Sequence, residues 1–280
     1  MIATKTLAAI DEAIQRDTDT EHRSHMGASG IGEPCLRKTW YQWRWAKKSS
    51  FSSRMLRLFS RGHYEEPRFV SYLKAIGCEY WETDPKTGKQ WRIKGHKGHF
   101  GGSCDGIGRG LPELPEGELF LGEFKTKSSK YWKALLSNGM LAEEPKHYAQ
   151  MQTYMRKLGL KYGLYMVVNK DTDALYAEII KLDEREADRH LQNSVDLIDA
   201  QEPPERISLK PNFYKCGPKW CSFREVCHFN AEPDKNCRTC EFSQPEEDAV
   251  WMCKKYNYAL SKQEQLKGCK DYEMKEGFNL

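Results

Sequence analysis

The chain has 280 residues, 39% of them hydrophobic and 30% charged, with a formal net charge of +4. That length holds one large domain, or a domain with an appendage. So small a net charge excludes a protein that grips nucleic acid by bulk charge, so any basic surface is local.

In chain order, Leu7, Ile10 and Ile14 fall at helical spacing and predict a helix over 5–16. The polar stretch "RDTDTEHRSHMGASGIGEP", 16–34, reads as a mobile connection. "PCLRKTWYQWRWAKK", 34–48, reads as a helix opened by Pro34, with Trp40, Tyr41 and Arg44 facing inward or toward a partner. "SSRMLRLFSRGHYEEPRFVSYLKAIG", 52–77, predicts one or two helices with Gly77 as a C-cap. "CEYWETD" and "QWRIKG" flank the turn "DPKTGK" and read as a hairpin. A strand carrying Asp105 follows, then the loop "LPELPEGE". "LFLGEFKTK", 119–127, is apolar on both faces, as a central strand is. "EEPKHYAQMQTYMRKLG", 143–159, predicts a helix ending at Gly159. "YGLYMVVNK" and "ALYAEIIKL" predict two strands joined by "NKDTD", and 183–200 an amphipathic helix. A linker, 201–212, leads into a Cys-rich tail. The expected organisation is a core over residues 1–205, with a helical N-terminal layer, and a Cys-rich metal-binding region over 206–280.

No run approaches the roughly 20 apolar residues of a membrane span. The N-terminus carries charges too early for a secretory signal. A cytoplasmic location is therefore expected, without membrane association. Disulfides are rare in that compartment, so clustered cysteines point to metal ligation. Seven of the ten cysteines lie after residue 215. Cys78 and Cys104 stand apart and read as buried structural thiols.

The chemistry centres on two stretches. "HFGGSCDGIGRG", 99–110, sets Asp105 among five glycines, and 18 residues later Glu123 is followed by Lys125 in "GEFKTK". Residues two apart on a strand share a face, and a buried Glu and Lys are costly unless they share a partner. A divalent cation supplies one, because carboxylates are hard ligands suited to Mg²⁺ or Mn²⁺. Asp105 from a neighbouring strand is the second carboxylate, and the surrounding glycines allow a close approach of backbone or substrate. Lys125 is placed to position or deprotonate a water and to offset phosphate charge. The set suits metal-assisted phosphodiester hydrolysis. The competing reading puts Asp105 in a turn and makes Glu123–Lys125 a surface pair.

In the helix after Glu-x-Lys, "QMQTY" sets Gln150 and Tyr154 four apart on one face. With that motif the chain resembles the PD-(D/E)XK nucleases of the RecB and lambda-exonuclease type over roughly 30–230. The resemblance implies an α/β fold, a restriction-endonuclease-like core with a mixed central sheet flanked by helices. It implies a metal held by Asp105 and Glu123, water assisted by Lys125, and a site bordered by Gln150 and Tyr154. "RGHYEEPRFVSYLKAIG" resembles the family's first motif, which carries over Glu66 as a further carboxylate and His63 as an extra metal ligand. The implied activity is that of a Mg²⁺/Mn²⁺-dependent DNA nuclease, an exonuclease in phage or mobile-element DNA recombination, in the host cytoplasm if phage-encoded. A recombination or single-strand-annealing protein is the expected partner besides DNA. A non-catalytic DNA-binding adaptor and a site- or structure-specific endonuclease of the same fold are the alternatives.

Some members of that family carry a [4Fe–4S] cluster on one cysteine before the core and three after it. The resemblance carries this over to Cys35, Cys216, Cys221 and Cys227, with zinc or free thiols as the alternatives. The gap between Cys216 and Cys221 is four residues where the family has two, which makes His228 an alternative donor to Cys216. Cys237 and Cys240 have Cys-x2-Cys spacing and, with Cys253 and Cys269, suit tetrahedral Zn²⁺. Arg37, Lys38 and Arg44, interleaved with Trp40, Tyr41, Trp43 and Trp45, suggest phosphate contacts with aromatic stacking on unpaired bases; the alternative, a core helix with a solvated basic edge, is the better account of at least Trp40 and Tyr41. Lys127 and Lys130 in "KTKSSKYWK" make a second basic stretch beside the catalytic strand.

Overall fold

The structure is a computed structural model that describes residues 2–16 and 22–278. The elements begin with α1 (Thr4–Arg16), β1 (Met26–Gly27), α2 (Leu36–Trp43), α3 (Ser53–Ala75), β2 (Glu79–Trp81), β3 (Arg92–Gly95), β4 (Phe100–Ser103) and β5 (Gly106–Arg109). They continue with β6 (Leu119–Lys127), α4 (Ser129–Glu143), α5 (Pro145–Leu158), β7 (Tyr162–Asn169), β8 (Leu175–Lys181) and α6 (Glu184–Asp199). The Cys-rich part holds α7 (Arg224–His228), β9 (Ser243–Pro245), β10 (Trp251–Cys253), β11 (Tyr258–Leu260) and α8 (Lys262–Lys267).

Two compact units result. The first takes described residues 2–16, 50–92 and 103–184; the second takes 22–49, 93–102 and 185–278. This differs from a single cut at 205/206, because early segments belong with the Cys-rich part. The reason is visible at Arg238. Its guanidinium lies 4.6, 3.7 and 4.5 Å from the ring centres of Trp43, Trp45 and Trp251. It donates to the carbonyls of Trp43 and Ser24 and to Gln265.

In the first unit, five strands form a mixed sheet in the order β2-β5-β6-β7-β8. Only the β6–β7 pair is parallel. β6 is central, as its two-faced apolar pattern predicts. Phe120 and Phe124 point to one face, where Phe69, Val70 and Leu73 of α3 cover them. α5 covers the other face, starting at Pro145 and ending where Gly159 takes the left-handed conformation, φ 70°, open to glycine at little cost. It packs closely because Gly163 leaves room for Met151; a Cβ there would lie 2.5 Å from Met151 Cε.

Several expectations change. β2 pairs with β5, and β3 joins a separate sheet, β1-β4-β3. The expected hairpin is reduced to one isolated bridge, Thr83 to Gln90. Within the stretch expected to be mobile, 17–21 lie outside the described residues. The part that follows is anchored by buried Met26, Ala28 and Ile31 and by β1 pairing in parallel with β4. Among the described residues, no helix is long and apolar enough to cross a membrane.

Candidate active site and thiol clusters

The glycines around Asp105 make room for an aromatic ring. A Cβ at Gly106, Gly108 or Gly122 would lie 2.5, 2.8 or 2.1 Å from an atom of Tyr80. The Tyr80 ring therefore lies across β5 and β6, packed on Phe120 and Phe124. The close approach foreseen for backbone or substrate is made by this side chain.

The β5–β6 ladder ends at Gly106–Gly122, and the chain bends at Asp105. The Phe124 N–H lies beyond that last pair and donates to Asp105 Oδ2 at 2.7 Å. Asp105 is thus at a bend and tied to the strand that carries Glu123. Glu123 has no exposed surface. Its Oε1 accepts from Lys125 Nζ, and its Oε2 from Gln150 Nε2 at 3.2 Å. Burial pushes the Glu123 carboxyl up to about 7; the Lys125 charge opposes this and Asp105 reinforces it. Burial works against the Lys125 ammonium, but Glu123 and Asp105 outweigh it and hold its pKa above the ordinary value. An unpaired ion at this depth would cost several kcal/mol. The surface-pair reading therefore does not describe Glu123, which is sealed on the α5 side of the sheet.

Gln150 and Tyr154 lie on the site face of α5. The Tyr154 hydroxyl donates to the Ser103 carbonyl at 2.8 Å, and burial pushes its pKa up. Glu66, on α3, is pushed up by burial and then by Asp105, which puts it within electrostatic reach of the group. His63 stands further out. Its side chain is 79% exposed, and it meets Glu66 through Nδ1 at 3.2 Å.

His147 escaped the sequence reading. It lies three residues before Gln150 on the same helix, a spacing that would have placed it on the site face. Its Nδ1 is 2.8 Å from the Tyr165 hydroxyl, and Tyr165 is the β7 residue in register with Glu123. Burial, then Lys125 and Lys127, push the imidazole down to about 3, so it is neutral at physiological pH.

The expected DNA contacts divide. Arg44 is fully buried and donates to the carbonyls of Ser243 and Ala200, so it presents no charge to a phosphate. Trp40, Tyr41, Trp43 and Trp45 are likewise buried and cannot stack on bases. Lys127 is largely buried and paired with Glu144. Lys38 is paired with Glu33. Arg37 lies over Tyr41. Lys130 is exposed.

The cysteines are unbridged, and Cys78 and Cys104 are buried as expected. Cys35, Cys216, Cys221 and Cys227 line one cavity, together with His228. Cys237, Cys240, Cys253 and Cys269 line another. The two sequence-derived quartets are thus each brought to one place. Among the described residues, no three His, Cys, Asp or Glu side chains form a ready-made metal-binding group. Mg²⁺ is commonly held by one or two carboxylates plus water and substrate phosphate, so the Asp105–Glu123 pair fits that ion. Each quartet has the donor set of a thiolate site.

No protein-family model matches the sequence, and no curated protein matches it significantly. Among solved structures, the crystal structure of SSO0001 is similar at 16% identity and TM-score 0.45, over 80% of this chain and 96% of that one. An alkaline exonuclease from Laribacter hongkongensis is similar at 16% identity and TM-score 0.45, over 68% and 90% of the two chains. The same exonuclease in complex with dAMP gives 15% identity and TM-score 0.42, with the same coverage.

Proposed function

We propose that the chain is a Mg²⁺- or Mn²⁺-dependent deoxyribonuclease, acting from DNA ends in recombination or processing of phage or mobile-element DNA. One observation carries this reading: a fully buried Glu123, joined to Lys125 and Gln150, on a strand whose next N–H is held by Asp105. A structural ion pair gains little from such depth, since a well-packed apolar pair of the same volume is often as stable or more so.

Asp105 and Glu123 would hold the ion, with Glu66 as a further carboxylate and His63 acting through Glu66. A bound divalent ion neutralises phosphate charge and makes its water more acidic. The side chains do the rest. Lys125 passes from its carboxylate partner to the attacking water or the phosphate, whose charge grows as the bond to phosphorus forms. Gln150 fixes the Glu123 carboxylate, and Tyr154 ties α5 to the Ser103 carbonyl. Lys130 is an exposed cation in the stretch that follows β6, where it would meet DNA. A recombination or annealing protein remains the proposed partner.

The test is hydrolysis of end-labelled linear DNA and of closed circular DNA by the full chain, with and without Mn²⁺. Loss of the linear substrate alone supports an exonuclease. Loss of both indicates an endonuclease of the same fold. Binding without loss of either indicates an adaptor and overturns the enzyme reading.

A further inference from the structure

The cavity lined by Cys35, Cys216, Cys221 and Cys227 has polar walls that the four thiols only partly explain: the Arg206 side chain hydrogen-bonds the Cys227 thiol, but other wall atoms have no such partner. Buried polar atoms normally have a hydrogen-bond partner, and exceptions call for a reason. Eleven buried side-chain nitrogen or oxygen atoms have none among the described residues. Four of the eleven, Arg37 Nε, Tyr41 Oη, Arg206 Nε and His228 Nε2, belong to residues lining this single cavity. Four others, on Trp43, Arg44, His99 and Trp251, fall in one closely packed ring cluster; the four named here differ in lining a cavity that also holds four thiols. The second quartet differs, because Ser243 Oγ is the one such atom among its lining residues.

The unpartnered atoms define what the cavity suits. The two guanidinium N–H groups can only donate. The Tyr41 hydroxyl can donate, and so can His228 Nε2 in one tautomer. Two of the four groups are cationic, and Lys215 also lines the cavity, while the charge of Lys38 there is offset by Glu33. The occupant should therefore be anionic overall and present several acceptor atoms beside the thiolates. A single zinc ion in four thiolates offers only those thiolate sulfurs. An iron–sulfur cluster adds inorganic sulfides, which accept hydrogen bonds, and hydrogen bonds to cluster sulfurs help to set its reduction potential.

We propose that Arg37, Tyr41, Arg206 and His228 form a ring of hydrogen-bond donors to the sulfur atoms of an iron–sulfur cluster bound by the first quartet. The ring reserves that quartet for a cluster and raises the cluster's reduction potential, while the second quartet takes a single Zn²⁺. The inference rests on the assignment of Cys35, Cys216, Cys221 and Cys227 as cluster ligands.

The test uses the full chain purified without oxygen. Iron, acid-labile sulfide and zinc are quantified per chain, and the potential is followed by the visible absorbance of the cluster. Cys35→Ser should lose iron and sulfide and keep zinc; Cys237→Ser should do the reverse. Arg206→Lys keeps the charge and removes the Nε–H, and Tyr41→Phe removes only the hydroxyl. Both should keep the cluster, with its potential shifted to lower values and its bridging Fe–S Raman bands displaced. Zinc without sulfide at the first quartet overturns the cluster assignment itself. A cluster whose potential and Raman bands are the same in wild type and both variants overturns the donor ring and leaves the assignment standing.

Discussion

Gly122→Ala is the smallest change that tests how the site strand is built. The new methyl carbon would lie 2.1 Å from Tyr80 Oη and 2.9 Å from its Cζ, against roughly 3.5–4.0 Å for relaxed carbon contacts. The ring must therefore move by about 1 Å. It has little room, since it is 5% exposed and held between Phe120, Phe124 and the glycines of β5. Overpacking of this kind costs about 1–3 kcal/mol, a fall in melting temperature of about 2–4 °C per kcal/mol for a domain of this size. Tyr80→Phe sharpens the test. The hydroxyl has no partner among the described residues, so its removal alone should be neutral or stabilising. In the Gly122→Ala background it should recover more stability, because the closest clashing atom goes with it. Thermal melts of the four proteins give the coupling energy. An unchanged Gly122→Ala melt, or an equal effect of Tyr80→Phe with Gly or Ala at 122, would refute the packing argument.

Arg238→Lys should destabilise the second unit by roughly 3 kcal/mol or more, read as a lower first melting transition, because an ammonium cannot span three aromatic rings and three acceptors; a wild-type melt would contradict this. His147, pushed from 6.5 down to about 3, refuses a proton that the unfolded chain accepts, so its contribution to stability is intact above about 6.5 and is lost as pH falls from there toward 3. His147→Gln should flatten the decline in urea midpoint across that window, and an unchanged pH profile would show that the imidazole is not held neutral. Lys130→Ala should weaken DNA binding and reduce its salt dependence, while Lys127→Ala, whose ammonium is already paired with Glu144, should change the salt slope less; equal slopes would contradict this difference.

Much of the first unit was legible because its signals are local. The two-faced apolar run of β6, the Gly159 stop of α5 and the i, i+4 spacing of Gln150 and Tyr154 need no knowledge of distant residues. The fate of "CEYWETD" and "QWRIKG" was not legible, since a turn sequence says that a chain reverses but not which strand it then joins. In the basic-aromatic helix the inward reading holds for Trp40 and Tyr41, while the phosphate contact expected of Arg44 fails for a similar reason. Arg44 reads as part of a nucleic-acid surface until the residues that cover it, Ser243 and Trp251 among them, are known. Those partners lie some 200 residues further along the chain. The glycines around Asp105 announced a close approach, but that Tyr80 makes it depends on strand order. Spacing and family resemblance group the cysteines into two quartets, and each comes to one cavity. The polar wall of the first involves Tyr41 and Arg206, which no spacing rule links.

The most direct test of the central claim is the single-turnover rate of Mn²⁺-dependent hydrolysis of end-labelled linear DNA by wild type, Asp105→Asn, Glu123→Gln and Lys125→Met, each first shown to be folded. A metal site on Asp105 and Glu123 assisted by Lys125 predicts metal-dependent hydrolysis by wild type and a fall of at least about a hundredfold in each variant, the scale of losing a group that acts in the transition state. Variants that cleave as fast as wild type would contradict it and leave Glu123 and Lys125 as a buried structural pair.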